Sequence, residues 1–174
     1  MSEIIKAQVE DWLDKHWDSL NDREVGTDTY NEKRWLTKVV DAGYATPTWP
    51  KKWHGLDLSA RETRVIEKAF QRRGAKGWGR DRFHLGAITI FKLGSNALKK
   101  ELLYVLLTGP ICCLLYSEPG AGSDLAGVRT RAVKKDEGDE FVVNGQKVWT
   151  SNAVEAEYGM LLSRTDMDVA KHQG

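Results

Sequence analysis

The sequence predicts an α+β chain of two domains, an all-helical domain over residues 1–110 followed by an antiparallel β domain over residues 111–174. Three observations carry this reading. Apolar residues recur at spacings of three and four through the first part of the chain. Near residue 110 that period gives way to a continuous apolar run and then to alternation. The chain has 174 residues with a 41% apolar share, which suits one large domain or two small ones with a real core.

The first helix is read from Ile5, Val9, Trp12, Leu13, His16, Trp17 and Leu20, with Lys6, Glu10, Asp14 and Asp18 off that stripe. His16 lies on the apolar face and no partner stands at metal-ligand spacing, so it reads as a satisfied helix histidine. A second helix carries Trp35, Leu36, Val39 and Val40 and stops at Gly43. A loop with two prolines follows, ATPTWPKKWHGLDLS. Its Trp49 and Trp53 are expected to pack down on the helices, the alternative being a ligand-facing wall. The third helix opens on Ser59-Ala-Arg-Glu62, a capping box, and runs through Val65, Ile66, Ala69 and Phe70. Arg72 and Arg73 suit the negative end of its dipole, and Gly74 ends it. Two weaker helical stretches follow at Phe83–Leu93 and Ala97–Leu107.

From Ile111 to Tyr116 the chain is apolar or Cys, short enough for a buried strand. Val128–Val133 alternates, Asp136–Gly138 breaks the pattern, and Glu140–Val143 resumes it. Asn144-Gly145 predicts a hairpin with Gln146–Thr150 as its return strand, and Tyr158–Ser163 adds one more strand.

Composition removes several function classes. Lys plus Arg number 26 against 25 Asp plus Glu, a net charge of +1. That balance argues against a nucleic-acid binder working by phosphate neutralisation. The scattered basic pairs read as solvated faces. Cys112 and Cys113 are adjacent, so they make neither a disulfide framework nor a zinc pattern. They read as small buried hydrophobes and fit a reducing, cytoplasmic compartment. The N-terminus is acidic and amphipathic, unlike a signal peptide. The longest uncharged run, between Glu101 and Glu118, has 16 residues and is broken by Gly109-Pro110. That is too short to span a membrane.

The chemistry concentrates in Tyr116-Ser-Glu-Pro-Gly-Ala-Gly-Ser-Asp124. Pro119, Gly120 and Gly122 allow tight turning and close backbone approach, and exposed N–H groups there favour anions. A P-loop would need a lysine that is absent, and Leu125 stands at the third glycine of a dinucleotide fingerprint. Spacing alone gives a glycine-rich loop that could cradle a cofactor.

YSEPGAGSDLAGVRTRA followed by FVVNGQKVWTSNA closely resembles the flavin-binding segment of the acyl-CoA dehydrogenase family. TPTWPKKWHGLDLS resembles the family's N-terminal-domain loop, and Leu93–Gly109 the helix that leads into its barrel. The resemblance implies a helical domain to about Thr108, then a middle β-barrel domain, here partial. A complete member adds a C-terminal four-helix domain, to which nothing here corresponds, so the chain is expected to be an N-terminal fragment. It implies FAD held by Leu114, Leu115, Tyr116, Ser117, Glu118, Pro119, Gly120, Ala121, Gly122 and Ser123, with Trp149, Thr150 and Ser151 as the second contact stretch. Ser123 is also expected to touch the acyl-CoA substrate, and the Trp149 indole to lie against the isoalloxazine. Leu114 stands where an aromatic is usual, and Ser151 replaces the usual threonine. The implied reaction is α,β-desaturation of an acyl-CoA thioester with hydride transfer to flavin N5.

The family's base is expected outside this chain, so no catalytic residue is assigned, and Glu118 is read as structural. An electron-transferring flavoprotein is the implied acceptor, and the full-length protein is expected to form a dimer or tetramer. Two other readings stand beside this one. One is a flavoenzyme of different chemistry on the same scaffold, such as an acyl-CoA oxidase, nitroalkane oxidase or flavin monooxygenase. The other is a non-catalytic or partner-dependent subunit. The 174-residue chain alone is expected to be inactive and prone to associate.

Overall fold

Helix α1 spans Ser2–His16 and buries Val9 and Leu13. The structure, a computed structural model, describes residues 2–18, 23–24, 31–80, 84–109, 112–138 and 140–174. Within these the chain divides into two compact units, Met1–Pro110 and Ile111–Gly174. The predicted stripe outlasts the helix: Trp17 is buried but sits in a short strand β1 (Trp17–Asp18), which pairs antiparallel with β2 (Arg23–Glu24). Leu20 and Phe83, named in the stripes above, lie outside the described residues.

Helix α2 (Glu32–Asp41) buries Trp35, Leu36, Val39 and Val40, and Gly43 follows it at φ +76°. Asn31 caps it by accepting from the Arg34 amide. Helix α3 (Ala60–Arg73) carries the predicted capping box, with Ser59 Oγ accepting from Glu62 N and Glu62 accepting from Ser59 N. Gly74 closes it in the left-handed region at φ +64°.

Arg73 does more than face a helix dipole. Its guanidinium bridges to α1, with Nη1 2.5 Å from Asp14 Oδ1 and Nη2 3.0 Å from Glu10 Oε2. The tryptophans finish the same helix end. Trp17 Nε1 donates to Arg73 O and Trp35 Nε1 to Lys76 O, both at 3.0 Å. Two large apolar bodies are thereby buried while their polar tips satisfy one carbonyl of the helix's last residue and one in the chain just beyond it. Trp12, Trp35, Tyr44 and Phe70 cluster around this point, with Trp12 stacked on Phe70 at 6.1 Å.

The proline-containing loop packs down. Trp49 is 2% exposed and stacks on Phe91 at 4.0 Å, and Trp53 is buried in a 3₁₀ turn at Lys51–Trp53. The loop is bonded to itself, with Leu58 N donating to Pro47 O and Asp57 N to Trp49 O. Helix α4 (Leu85–Leu93) is capped by His84, whose Nδ1 accepts from Ala87 N at 3.1 Å. Burial, and secondarily Arg80, push the His84 pKa down, which keeps that nitrogen free to accept. Helix α5 (Asn96–Thr108) buries Leu103, Leu106, Leu107 and Thr108 and is capped by Ser95.

The second unit holds β3 (Cys112–Leu115), β4 (Arg131–Lys134), β5 (Phe141–Asn144) and β6 (Tyr158–Leu161). β4 and β5 pair antiparallel, Arg131 opposite Asn144 and Lys134 opposite Phe141. β3 and β6, however, pair in parallel, from Cys112 opposite Tyr158 to Leu115 opposite Leu161. That corrects the expectation of a wholly antiparallel segment. A parallel pair cannot be closed by a tight turn, so everything between Leu115 and Tyr158 forms its crossover. The hairpin also lies elsewhere than expected. The chain turns between Lys134 and Phe141, around Gly138 at φ +86°, and Gln146–Thr150 forms no return strand. No described helix is long and apolar enough to cross a membrane.

Phe70→Ala is expected to destabilise the helical unit by ~3–5 kcal/mol through the cavity it leaves. Ser59→Ala should cost only ~1 kcal/mol, the loss of one cap. Denaturant titration followed by far-UV circular dichroism measures both.

Candidate functional site

Strand β3 delivers the chain to Tyr116, and a turn follows at once. Glu118 N donates to Ala121 O at 2.9 Å and Ala121 N to Glu118 O at 3.1 Å, so Glu-Pro-Gly-Ala closes on itself. A 3₁₀ turn at Leu125–Gly127 then leads to the buried Val128 and into β4. The turn points the Glu118 carboxylate inward. Its Oε2 accepts from Arg129 N at 2.6 Å, and its Oε1 from Thr130 N at 2.8 Å and Lys147 Nζ at 2.9 Å. Both members of the ion pair are under a tenth exposed. Burial alone would raise the carboxyl pKa, but the hydrogen bonds from Thr130, Arg129 and Lys147 outweigh it and bring it to about 2.

Asn144-Gly145 turns out to be a point of close approach. A side chain at Gly145 would collide with Thr130 Oγ1 and Cβ, so glycine is required there by contact with the start of β4. The chain then runs beside the glycine-rich loop. Val148 N donates to Ser117 O at 2.9 Å, and Lys147 Nζ donates to Tyr116 O at 2.9 Å. Directly after this double anchor, Trp149 takes φ +58° and leaves its side chain 91% exposed. A non-glycine residue held left-handed, with a large apolar ring in solvent, is a local cost that the surrounding structure imposes.

The two stretches singled out in the sequence therefore meet through backbone and ion-pair contacts. Leu114, Leu115, Tyr116 and Ser117 are half-buried, Glu118 and Ala121 are buried, and Pro119, Gly120, Gly122 and Ser123 are exposed. Thr150 is half-buried and Ser151 exposed. Gly120 and Gly122 have nothing within 4 Å of where a side chain would begin, and neither has positive φ. A cleft of about 530 Å³ borders Glu118, Pro119, Gly120, Thr130 and Gly145 but does not include Ser117 or Trp149.

His16 Nδ1 bonds Trp12 O at 2.7 Å and its ring stacks on Trp12. Cys113 is buried, both cysteines are free, and burial raises the Cys112 pKa so that it stays a thiol. Among the described residues no group of three His, Cys, Asp or Glu could hold a metal.

Sequence reasoning missed Lys147, Arg129 and Thr130. One signal was available: Lys147 is the single charged residue between Val142 and Val154.

Removing one partner of such a pair strands a buried charge, so Lys147→Met is expected to destabilise the second unit by roughly 3–5 kcal/mol. The depressed Glu118 pKa fixes the sign of a pH effect. Its contribution is fully present above the ordinary carboxylate value of 4.5 and is lost as pH falls from there to about 2. Unfolding midpoints across pH 2–7 should show this loss, and Lys147→Met should shrink it.

Comparison with known proteins agrees with these strings. The profile of the acyl-CoA dehydrogenase N-terminal domain matches residues 2–110 and that of the middle domain residues 113–174. Acyl-CoA dehydrogenase FadE34 of Mycobacterium tuberculosis (strain ATCC 25618 / H37Rv) is 39% identical over 150 residues, covering 82% of this chain and 20% of that protein. (2S)-Methylsuccinyl-CoA dehydrogenase of Cereibacter sphaeroides is 36% identical over 139 residues, covering 78% of this chain and 25% of that protein. Among solved structures, the Tcur3481-Tcur3483 steroid ACAD superposes with a TM-score of 0.64 at 29% identity, covering 99% of this chain and 45% of that one. The ChsE4-ChsE5 complex from Mycobacterium tuberculosis gives 0.65 at 28% identity, covering 99% and 44%. The chain spans less than half the length of these relatives. Matched along both of its units, it belongs to the acyl-CoA dehydrogenase family, in which it covers the N-terminal helical domain and the start of the middle β domain.

Proposed function

We propose that this chain forms the FAD-binding part of an acyl-CoA dehydrogenase, acting in α,β-desaturation of an acyl-CoA thioester. The observation that carries the reading is the docking of residues 147–148 on 116–118, after which the exposed Trp149 follows directly. The residues present fit the cofactor. Neither packing nor backbone conformation demands glycine at positions 120 and 122, which is the pattern expected where a ligand needs the open space over a loop.

FAD, when bound, supplies hydride acceptance. Leu114 to Ser123, with Trp149, Thr150 and Ser151, would hold it. Ser117 and Ser123 would offer hydroxyls, Ser123 also toward the acyl-CoA. The Trp149 ring would contribute stacking area and exclude water. Glu118 is not the base: its three donors and its pKa of about 2 leave it no basicity near neutral pH. We place the base outside residues 1–174 and the protein in the cytoplasm, where Cys112 and Cys113 stay free. We take an electron-transferring flavoprotein as acceptor. Assembly with a second chain, as dimer or tetramer, is supported by the relative solved as a ChsE4-ChsE5 complex.

Full-length protein is expected to be yellow with FAD. Trp149→Ala should weaken FAD by on the order of 1–3 kcal/mol, against ~1 kcal/mol for Ser117→Ala. Equilibrium dialysis ranks the two, and equal retention would sink the assignment of Trp149 to the ring. A colourless, folded full-length protein would sink the flavin reading.

A further inference from the structure

We infer that Lys147, acting through Glu118, is a positioning residue that sets Trp149 and its neighbours for the cofactor. This rests on the flavin reading above. Neither charged group is exposed enough to meet a ligand at its head, since both side chains are under a tenth exposed. What they reach instead are the segments that carry the contacts. Lys147 Nζ donates to Tyr116 O and Glu118 Oε1, within the first stretch. Glu118 in turn accepts from the backbone of Arg129 and Thr130, where the chain enters β4. Thr130 is the residue that crowds Gly145, two positions before Lys147. Residues 116–118, 129–130 and 145–148 are thus locked into one junction.

Trp149 leaves that junction directly, at φ +58° and with its ring in solvent. Its exposed ring gains little from burial, so what fixes its position is the backbone that precedes it. A ring presented to a planar ligand must be held before the ligand arrives, or the ordering cost is taken from affinity. Lysine suits the junction because a point charge on a flexible stem meets a carbonyl and a carboxylate oxygen together, whereas the wide arginine fork would have to displace one of them.

The test uses the full-length holoprotein and three substitutions: Lys147→Met, Lys147→Arg and, as a control, Val128→Ala. Val128 is 4% exposed and lies in the same unit, and its side chain carries no charge or hydrogen bond of the junction. FAD dissociation constants are measured by flavin fluorescence at a temperature where near-UV circular dichroism shows every variant folded. Lys147→Met is expected to weaken FAD roughly 10- to 100-fold, in the range by which a misplaced supporting group degrades a site. Lys147→Arg should recover part of that loss. Val128→Ala should lower the melting temperature while leaving FAD affinity within about twofold. In cofactor-free protein, hydrogen exchange of residues 148–151 should speed up in Lys147→Met by more than the unit-wide increase seen at β4 and β5.

Unchanged FAD affinity in Lys147→Met, or an equal loss in Val128→Ala, would overturn the positioning role. Exchange at 148–151 that speeds up no more than at β4 and β5 would overturn it as well. A folded wild-type protein that binds no FAD would instead overturn the flavin reading, and the inference would fall with it.

Discussion

The buried carboxylate of Glu118 is the constraint around which the second unit is arranged. Taking an ion pair out of water is expensive, and the attraction between its members offsets that only when their remaining valences are also met. Here they are, by two backbone amides and one ammonium on the acid, and by a carbonyl and a carboxylate oxygen on the base. Those partners come from three stretches of chain. Satisfying one charge therefore obliges the glycine-rich loop, the entry to β4 and the segment after β5 to meet. The close turn of Glu118 against Ala121 aims the acid inward, and the bare Gly145 allows the third segment to come near enough.

The helical unit reaches its order by a different route. Its polar junctions lie at helix ends, and apolar packing supplies the rest. The Trp17 indole N–H and the His84 nitrogen meet open backbone groups at helix ends, the Trp35 indole bonds the chain just past α3, and the Arg73 fork ties α3 to carboxylates of α1. The aromatic bodies those groups belong to fill the space between α1, α2 and α3.

Local rules read well wherever the physics is local. The Ser59–Glu62 box, the Gly74 stop and the stripes of α2 and α3 depend on neighbours within a few residues, and each was legible in the chain. Trp49 and Trp53 were legible as packed groups because two rings of that size have few stable places in solvent. What local rules misread was decided at long range. Asn144-Gly145 carries the signature of a tight hairpin, yet its glycine answers to Thr130, fifteen positions away, and the turn falls around Gly138. The parallel pairing of β3 with β6 leaves no sequence trace that distinguishes it from an antiparallel one. For the site, the two strings were visible through their likeness to a family. The pair that joins them was not, because Lys147 and Glu118 look like ordinary charged residues until the fold removes them from water.

The parallel ladder of β3 and β6 has a kinetic side. Its partners, Leu115 and Leu161, stand at opposite ends of a segment that contains the glycine-rich loop, the hairpin and Trp149. Closing that ladder means confining the whole intervening chain before any of its hydrogen bonds repay the lost freedom. The backbone hydrogen bonds of the first unit's helices, by contrast, each close over four residues. The order of events along this chain therefore runs from early, locally determined helices to a late, non-local closure, and the loop that carries the site takes its shape in the last of these steps.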